Sequence, residues 1–164
     1  MNVIDIFRIA YQMELRGRDF YQEQSNHVKM PVLKEIFWHL VKMEEGHAEY
    51  IKEQIVKIEH SESIAPPAQD NTDNLFIERM TQQKISAADL KNDLGDYSIL
   101  RMAYLIEKDL AEYYEKSAGL QGDMKLKSIF DMLAGWEHGH AEMLKKQLEG
   151  IIERNSLDLG FYPM

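Results

Sequence analysis

The chain has 164 residues, a length suited to one domain, and carries 19 basic against 28 acidic side chains, a formal charge of −9. That balance speaks against nucleic acid as a partner, which needs a basic surface. The absence of cysteine excludes disulfides, zinc–thiolate sites, thiolate-held iron–sulfur clusters and cysteine nucleophiles together. Hydrophobic residues make up 45%, enough for a packed core. No apolar run approaches the roughly 18–20 residues of a membrane span, and the start lacks a basic flank with an apolar signal core. A soluble cytoplasmic protein with no membrane partner is the expectation.

Four long segments have helical periodicity, and almost nothing reads as strand. The first runs from about Val3 to His27, with Ile6, Ile9, Ala10, Met13 and Phe20 recurring at three- and four-residue steps. Pro31 suits a first helical turn, and Leu33, Ile36, Phe37, Leu40 and Met43 then carry an apolar stripe toward His60. Ser61 to Asn74, with Pro66-Pro67, reads as a linker. Two short helical pieces are expected next, Leu75–Gln82 and Ala87–Leu94, the latter behind Ser86 as N-cap. The third long helix spans about Asp96 to Ala118, up to the turn at Gly119–Gly122. Asp123 is placed to cap the fourth, which continues to about Arg154, leaving Asn155 to Met164 as an irregular tail. The expected layout is thus one all-α domain over 1–164: hairpin 3–60, a crossover linker with short helices over 61–94, hairpin 95–154 and tail 155–164. A connection that long can return along a bundle, so the expected fold is a four-helix bundle with parallel second and third long helices.

The two hairpins are copies of one another. Residues 3–57 shifted by 93 onto 96–150, without a gap, are identical at 18 of 55 positions. Arg8-x-Ala10-Tyr11-x-x-Glu14 matches Arg101-x-Ala103-Tyr104-x-x-Glu107, and Glu44-x-Gly46-His47-Ala48-Glu49 matches Glu137-x-Gly139-His140-Ala141-Glu142. Shared helical composition preserves leucines and lysines by accident; it does not preserve a glutamate and a histidine at fixed spacing.

Each half therefore carries Glu-x29-Glu-x-x-His: Glu14, Glu44 and His47, then Glu107, Glu137 and His140. Residues three apart share a helical face, and both Glu-x-x-His pairs interrupt the apolar stripe, so they point inward. Glu14 and Glu44 each stand roughly 14–15 residues from the centre of their turn, or about 21–23 Å at the helical rise, and are therefore level. Two hairpins packed face to face would bring four carboxylates and two imidazoles into one layer. Four ionised, unpaired carboxylates in an apolar core are prohibitive. They take up protons, or two divalent cations neutralise them, and such an oxygen-rich set suits iron or manganese better than a closed zinc site.

At these residues, over 3–57 and 96–152, the sequence resembles the rubrerythrin-like branch of the ferritin-like superfamily, above all in Phe37-x-x-Leu40-x-x-x-Glu44-x-x-His47-Ala48-Glu49 and its counterpart from Phe130. The resemblance implies a ferritin-like four-helix bundle with a di-iron centre that reacts with peroxide or dioxygen. It also implies that Glu44 and Glu137 bridge the metals, Glu14 and Glu107 are terminal ligands, and His47 and His140 cap. Typical members carry a further glutamate three residues after the first ligand of the third helix, where this chain has Leu110. Many append a cysteine-rich rubredoxin domain; without cysteine, the reductant has to be a separate partner.

Tyr11 and Tyr104 stand three residues before Glu14 and Glu107, and Tyr21 and Tyr114 seven after them. All four are candidates to orient the ligating carboxylates or to serve as redox-active phenols, beside the plainer reading of packed rings. Trp38 and Trp136 read as core, Glu49 and Glu142 as helix-pairing residues, Glu45 and His138 as solvated, and His27, His39 and His60 as having no specific role. The expected activity is that of a non-haem di-iron or di-manganese oxidoreductase reducing hydrogen peroxide or dioxygen. Iron binding or sequestration without turnover is the alternative, and a homodimer the expected assembly.

Overall fold

The computed structural model describes residues 2–67, 72–82 and 94–158, and every regular element among them is helical. The elements are α1 (Val3–Gln24), α2 (Pro31–Glu59), α3 (Thr72–Gln82), α4 (Leu94–Gly119) and α5 (Met124–Asp158). α1 packs along α2 and α4 along α5, and the two hairpins meet through α1 and α4, while α3 lies against α5.

Local chemistry sets the ends. Pro31 opens α2, where its missing N–H costs nothing. The neighbouring N–H groups of Lys29 and Met30 are satisfied from the other hairpin: the buried carboxylate of Asp96, in the first turn of α4, accepts from Lys29 at 2.9 and 3.0 Å and from Met30 at 2.7 Å. Asp123 caps α5 as expected, accepting from Lys125 N at 2.7 Å and Leu126 N at 3.3 Å. Gln54 and Gln147, equivalent in the repeat and both buried, tie down the connecting segments. Gln54 accepts from Ala65 N at 3.4 Å, and Gln147 donates to the Met80 carbonyl at 2.7 Å near the end of α3.

α3 starts at Thr72, three residues before its expected start. The expected piece Ala87–Leu94 lies outside the described residues except for Leu94, which opens α4. The tail expectation needs correcting: residues 155–158 continue α5, and the first proline after its start, Pro163, comes only later. Residues 159–164 lie outside the described residues. Trp38 is not core either. It is 63% exposed, rotated off the Leu33–Ile36–Phe37–Leu40 stripe, with Lys42 Nζ 5.7 Å above its ring.

The core divides into two apolar clusters. One gathers Leu33, Ile36, Phe37, Leu40, Leu100, Met143 and Leu144 with Phe76 and Met80 of α3. The other gathers Phe7, Ala10, Leu110, Phe130 and Leu133, where the rings of Phe7 and Phe130 stand 4.9 Å apart. On each long helix the repeated glutamates and histidines fall between the stretches that feed the two clusters. The polar layer is thus sealed by hydrocarbon on both sides.

Candidate metal centre

All six residues of the repeated pattern converge in that layer. Glu14, Glu44, Glu107 and Glu137 are fully buried, His140 is 1% exposed and His47 7%. Their ligand atoms form two overlapping groups, Glu14–Glu44–His47–Glu137 and Glu44–Glu107–Glu137–His140, within each of which one atom per residue lies within 4.8 Å of the others. His47 Nδ1 is 3.1 Å from Glu137 Oε1, 3.6 Å from Glu14 Oε2 and 3.7 Å from Glu44 Oε2. His140 Nδ1 is 3.2 Å from Glu137 Oε2, 3.2 Å from Glu107 Oε2 and 3.3 Å from Glu44 Oε1. Glu44 and Glu137 thus turn one oxygen toward each histidine, whereas Glu14 and Glu107 each belong to a single group. The two imidazoles are almost parallel, 5.4 Å between centroids.

The tyrosines sort into two classes. Tyr114 donates to Glu14 Oε1, and Tyr21 donates to Glu107 Oε1 and more weakly to the Ala103 carbonyl at 3.4 Å. Each phenol therefore reaches across to the solitary glutamate of the other half, fixing its outer oxygen and leaving the inner one for the centre. Tyr11 and Tyr104 do not join them: both are half-buried against the apolar clusters, and neither bonds to a carboxylate among the described residues. Gly17 of α1 faces Glu44, and a Cβ there would make an ordinary van der Waals contact at 3.8 Å from the carboxylate carbon. The repeat counterpart of Gly17 is Leu110, buried in the second cluster.

Sequence reasoning missed what surrounds the histidines. Trp136 stacks on His47 at 4.6 Å, and His39, assigned no role, stacks on Phe76 of α3 at 3.7 Å. His138 is exposed and pairs with Glu115 at 2.7 Å, and Glu45 with Lys42 at 3.1 Å. Glu142 pairs with Lys145 and Lys146 of its own helix rather than across helices.

The electrostatics separate the carboxylates. Burial, reinforced by the charge of Glu137, pushes Glu14 well above the usual carboxylate range; burial and the charge of Glu44 do the same to Glu107. Burial also opposes ionisation of Glu44, but its contacts with Glu14, His140 and His47 outweigh that and hold it low. Glu137 is held low in the same way, against burial and the charge of Glu44, by the charge of His47 and contacts with both histidines. Burial favours neutral imidazoles, yet the charge of Glu137 raises His47 and that of Glu107 raises His140.

A cation fits this donor set on an observation independent of the pattern. Glu14 Oε2, both oxygens of Glu44, both of Glu137 and His47 Nδ1 are buried with no well-formed hydrogen bond. Such atoms cost about 1–3 kcal/mol each when left without a partner, more when charged. All six face the same small volume. Carboxylate oxygens with imidazole nitrogens, shared between two adjacent groups, are a donor set for two hard or borderline divalent ions. No curated protein and no solved structure matches the chain. The family model described as rubrerythrin matches residues 5–148, which take in both hairpins and all six buried residues, and the chain belongs to the rubrerythrin family.

Proposed function

We propose that this protein is a non-haem di-iron oxidoreductase that reduces hydrogen peroxide or dioxygen in the cytoplasm, with electrons from a separate donor. Family membership and the buried carboxylate–histidine cluster fit a di-iron protein. The observation that carries the reading is the overlap of two four-residue groups through Glu44 and Glu137. In it the four long helices form a ferritin-like four-helix bundle. Glu14, Glu44, His47 and Glu137 hold one ion and Glu44, Glu107, Glu137 and His140 the other.

Two bound iron ions supply the electrons that a small oxidant accepts. The chain's own residues do the rest. Glu44 and Glu137 are shared, so their charge serves both ions. Tyr21 and Tyr114 keep Glu107 and Glu14 oriented by donating to their outer oxygens. The two apolar clusters exclude water and larger substrates from the layer. In the metal-free chain the raised proton affinity falls on Glu14, Glu107, His47 and His140, and those are the protons that binding of the ions would displace.

Anaerobic loading with ferrous iron, then mixing with peroxide or with dioxygen, tests this reading. Two irons per chain and repeated turnover with an added reductant are expected. Binding followed by one slow, stoichiometric oxidation would replace the proposal with iron sequestration, and no binding would refute both.

A further inference from the structure

Among the described residues, two aromatic rings lead away from the buried layer on the His47 side. Trp136, half-buried, lies nearly parallel to the His47 imidazole, 4.6 Å between centroids at 18°. Tyr50, also half-buried, meets the same indole edge-on at 6.1 Å and 70°. Its hydroxyl donates at 2.9 Å to the carbonyl of Ala65, an exposed residue that lines an open groove with Ser63, Ile64 and Pro66. The repeat places Met43 opposite Trp136 and Met143 opposite Tyr50, and both methionines are buried in the first apolar cluster. The His140 side therefore lacks the aromatic pair that its counterpart has.

Met43 and Met143 are buried in a cluster that takes in Phe76 and Met80 of α3, whereas Trp136 and Tyr50 are only half-buried and so link the layer to the surface. Indole and phenol are the two side chains that most readily lose one electron, and rings in contact exchange electrons efficiently. We propose that His47, Trp136 and Tyr50 form an electron path between the metal centre and the surface beside residues 63–66, so that single electrons enter on the His47 side. The proposal rests on the reading of the centre as redox-active. A one-electron donor, a reduced redox protein or small dye, gives up one electron beside residues 63–66, and that electron crosses the Tyr50, Trp136 and His47 rings by tunnelling to the oxidised centre. No ring is left oxidised, no bond breaks and no proton moves, so the balance is one electron from donor to centre.

The test has two arms. In metal-free Trp38→Phe protein, Trp136 is the sole tryptophan of the chain. Flash oxidation with photo-oxidised ruthenium tris-bipyridine is expected to give a tryptophan radical that decays as tyrosyl absorption grows, and Tyr50→Phe removes that growth. Growth that survives Tyr50→Phe, or an unoxidised Trp136, overturns the path. In iron-loaded protein, reduction by reduced methyl viologen is expected to slow at least tenfold in Trp136→Phe, with iron content and melting temperature unchanged, while Trp38→Phe reduces at the original rate. Equal rates overturn the path. Should Trp136→Phe lose iron, Tyr50→Phe carries the comparison, since Tyr50 lies outside both ligand groups. A chain that binds no redox metal refutes the functional reading, whereas the metal-free arm judges the aromatic path separately.

Discussion

Loading this centre with metal should expel four protons per chain. Without metal, Glu44 and Glu137 are held ionised, His47 and His140 are held protonated, and Glu14 and Glu107 are held neutral. Two carboxylates against two imidazolium ions leave the buried layer without net charge. With two divalent ions bound, four ionised carboxylates and two neutral imidazoles again leave none. The difference between these states is the proton on each of Glu14, Glu107, His47 and His140. A pH of about 5.5, above the ordinary carboxylate value and below the ordinary imidazole value, gives the clearest contrast. Six independent, solvated groups would there release only the two imidazole protons. Each ion displaces two protons, so its association constant should rise about a hundredfold per pH unit, or about 2.7 kcal/mol. Titration with zinc or manganese in weak buffer with a pH indicator, or calorimetry in buffers of different ionisation heat, counts the protons. A release of two at that pH would refute the reasoning, because it would mean that Glu14 and Glu107 are already ionised in the folded protein.

Other outcomes follow from the same geometry. Glu44→Ala or Glu137→Ala should abolish binding of both ions, whereas Glu14→Ala or Glu107→Ala should leave one, read by elemental analysis after desalting; two ions retained by either shared-ligand variant would refute the bridging assignment. Tyr114→Phe and Tyr21→Phe should each weaken one ion about 10–100-fold, with the other unchanged. The metal-free protein should melt at lower temperature as pH rises from about 5 to 8. The raised groups stabilise it fully below their unfolded values, and that contribution is lost as pH climbs through their folded ones; saturating metal should remove the slope. Glu44 and Glu137 act in the opposite sense, their contribution being lost only as pH falls below the carboxylate range. Asp96→Ala should cost about 2–4 kcal/mol in denaturant unfolding, since it strands the N–H groups of Lys29 and Met30.

Much of the centre was legible because a repeat turns weak signals into a strong one. A solitary Glu-x-x-His says little, but its recurrence 93 residues on, 30 positions after a glutamate each time, fixes which face points inward and at what height. Helix periodicity then located α1, α2, α4 and most of α5. What spacing could not reveal is which residues of one hairpin touch the other. Tyr11 and Tyr21 both lie near the ligand face of α1, yet only Tyr21 reaches a carboxylate, and that carboxylate belongs to α4. The same limit hid Asp96, whose neighbours in sequence say nothing of the α2 N-terminus it satisfies, and the stack of Trp136 on His47. Trp38 was misjudged for a simpler reason. It was read as core with the other tryptophan, while its position one residue past Phe37 already turned it about 100° from the stripe.

Neither hairpin can build half of the centre alone. Each four-residue group takes three side chains from one half and one from the other: Glu137 joins Glu14, Glu44 and His47, and Glu44 joins Glu107, Glu137 and His140. The tyrosine bonds cross in the same way. Assembly of the site is therefore tied to the packing of the halves against each other, and the energy of closing that contact includes the neutralisation of the buried charge. Two identical hairpins would satisfy the same pattern with perfect symmetry. Joining them in one chain lets equivalent positions differ without disturbing the ligands. The differences lie around them: Gly17 against Leu110, Met43 against Trp136, Tyr50 against Met143. The six donors are matched across the halves, while the residues packed around them differ from one half to the other.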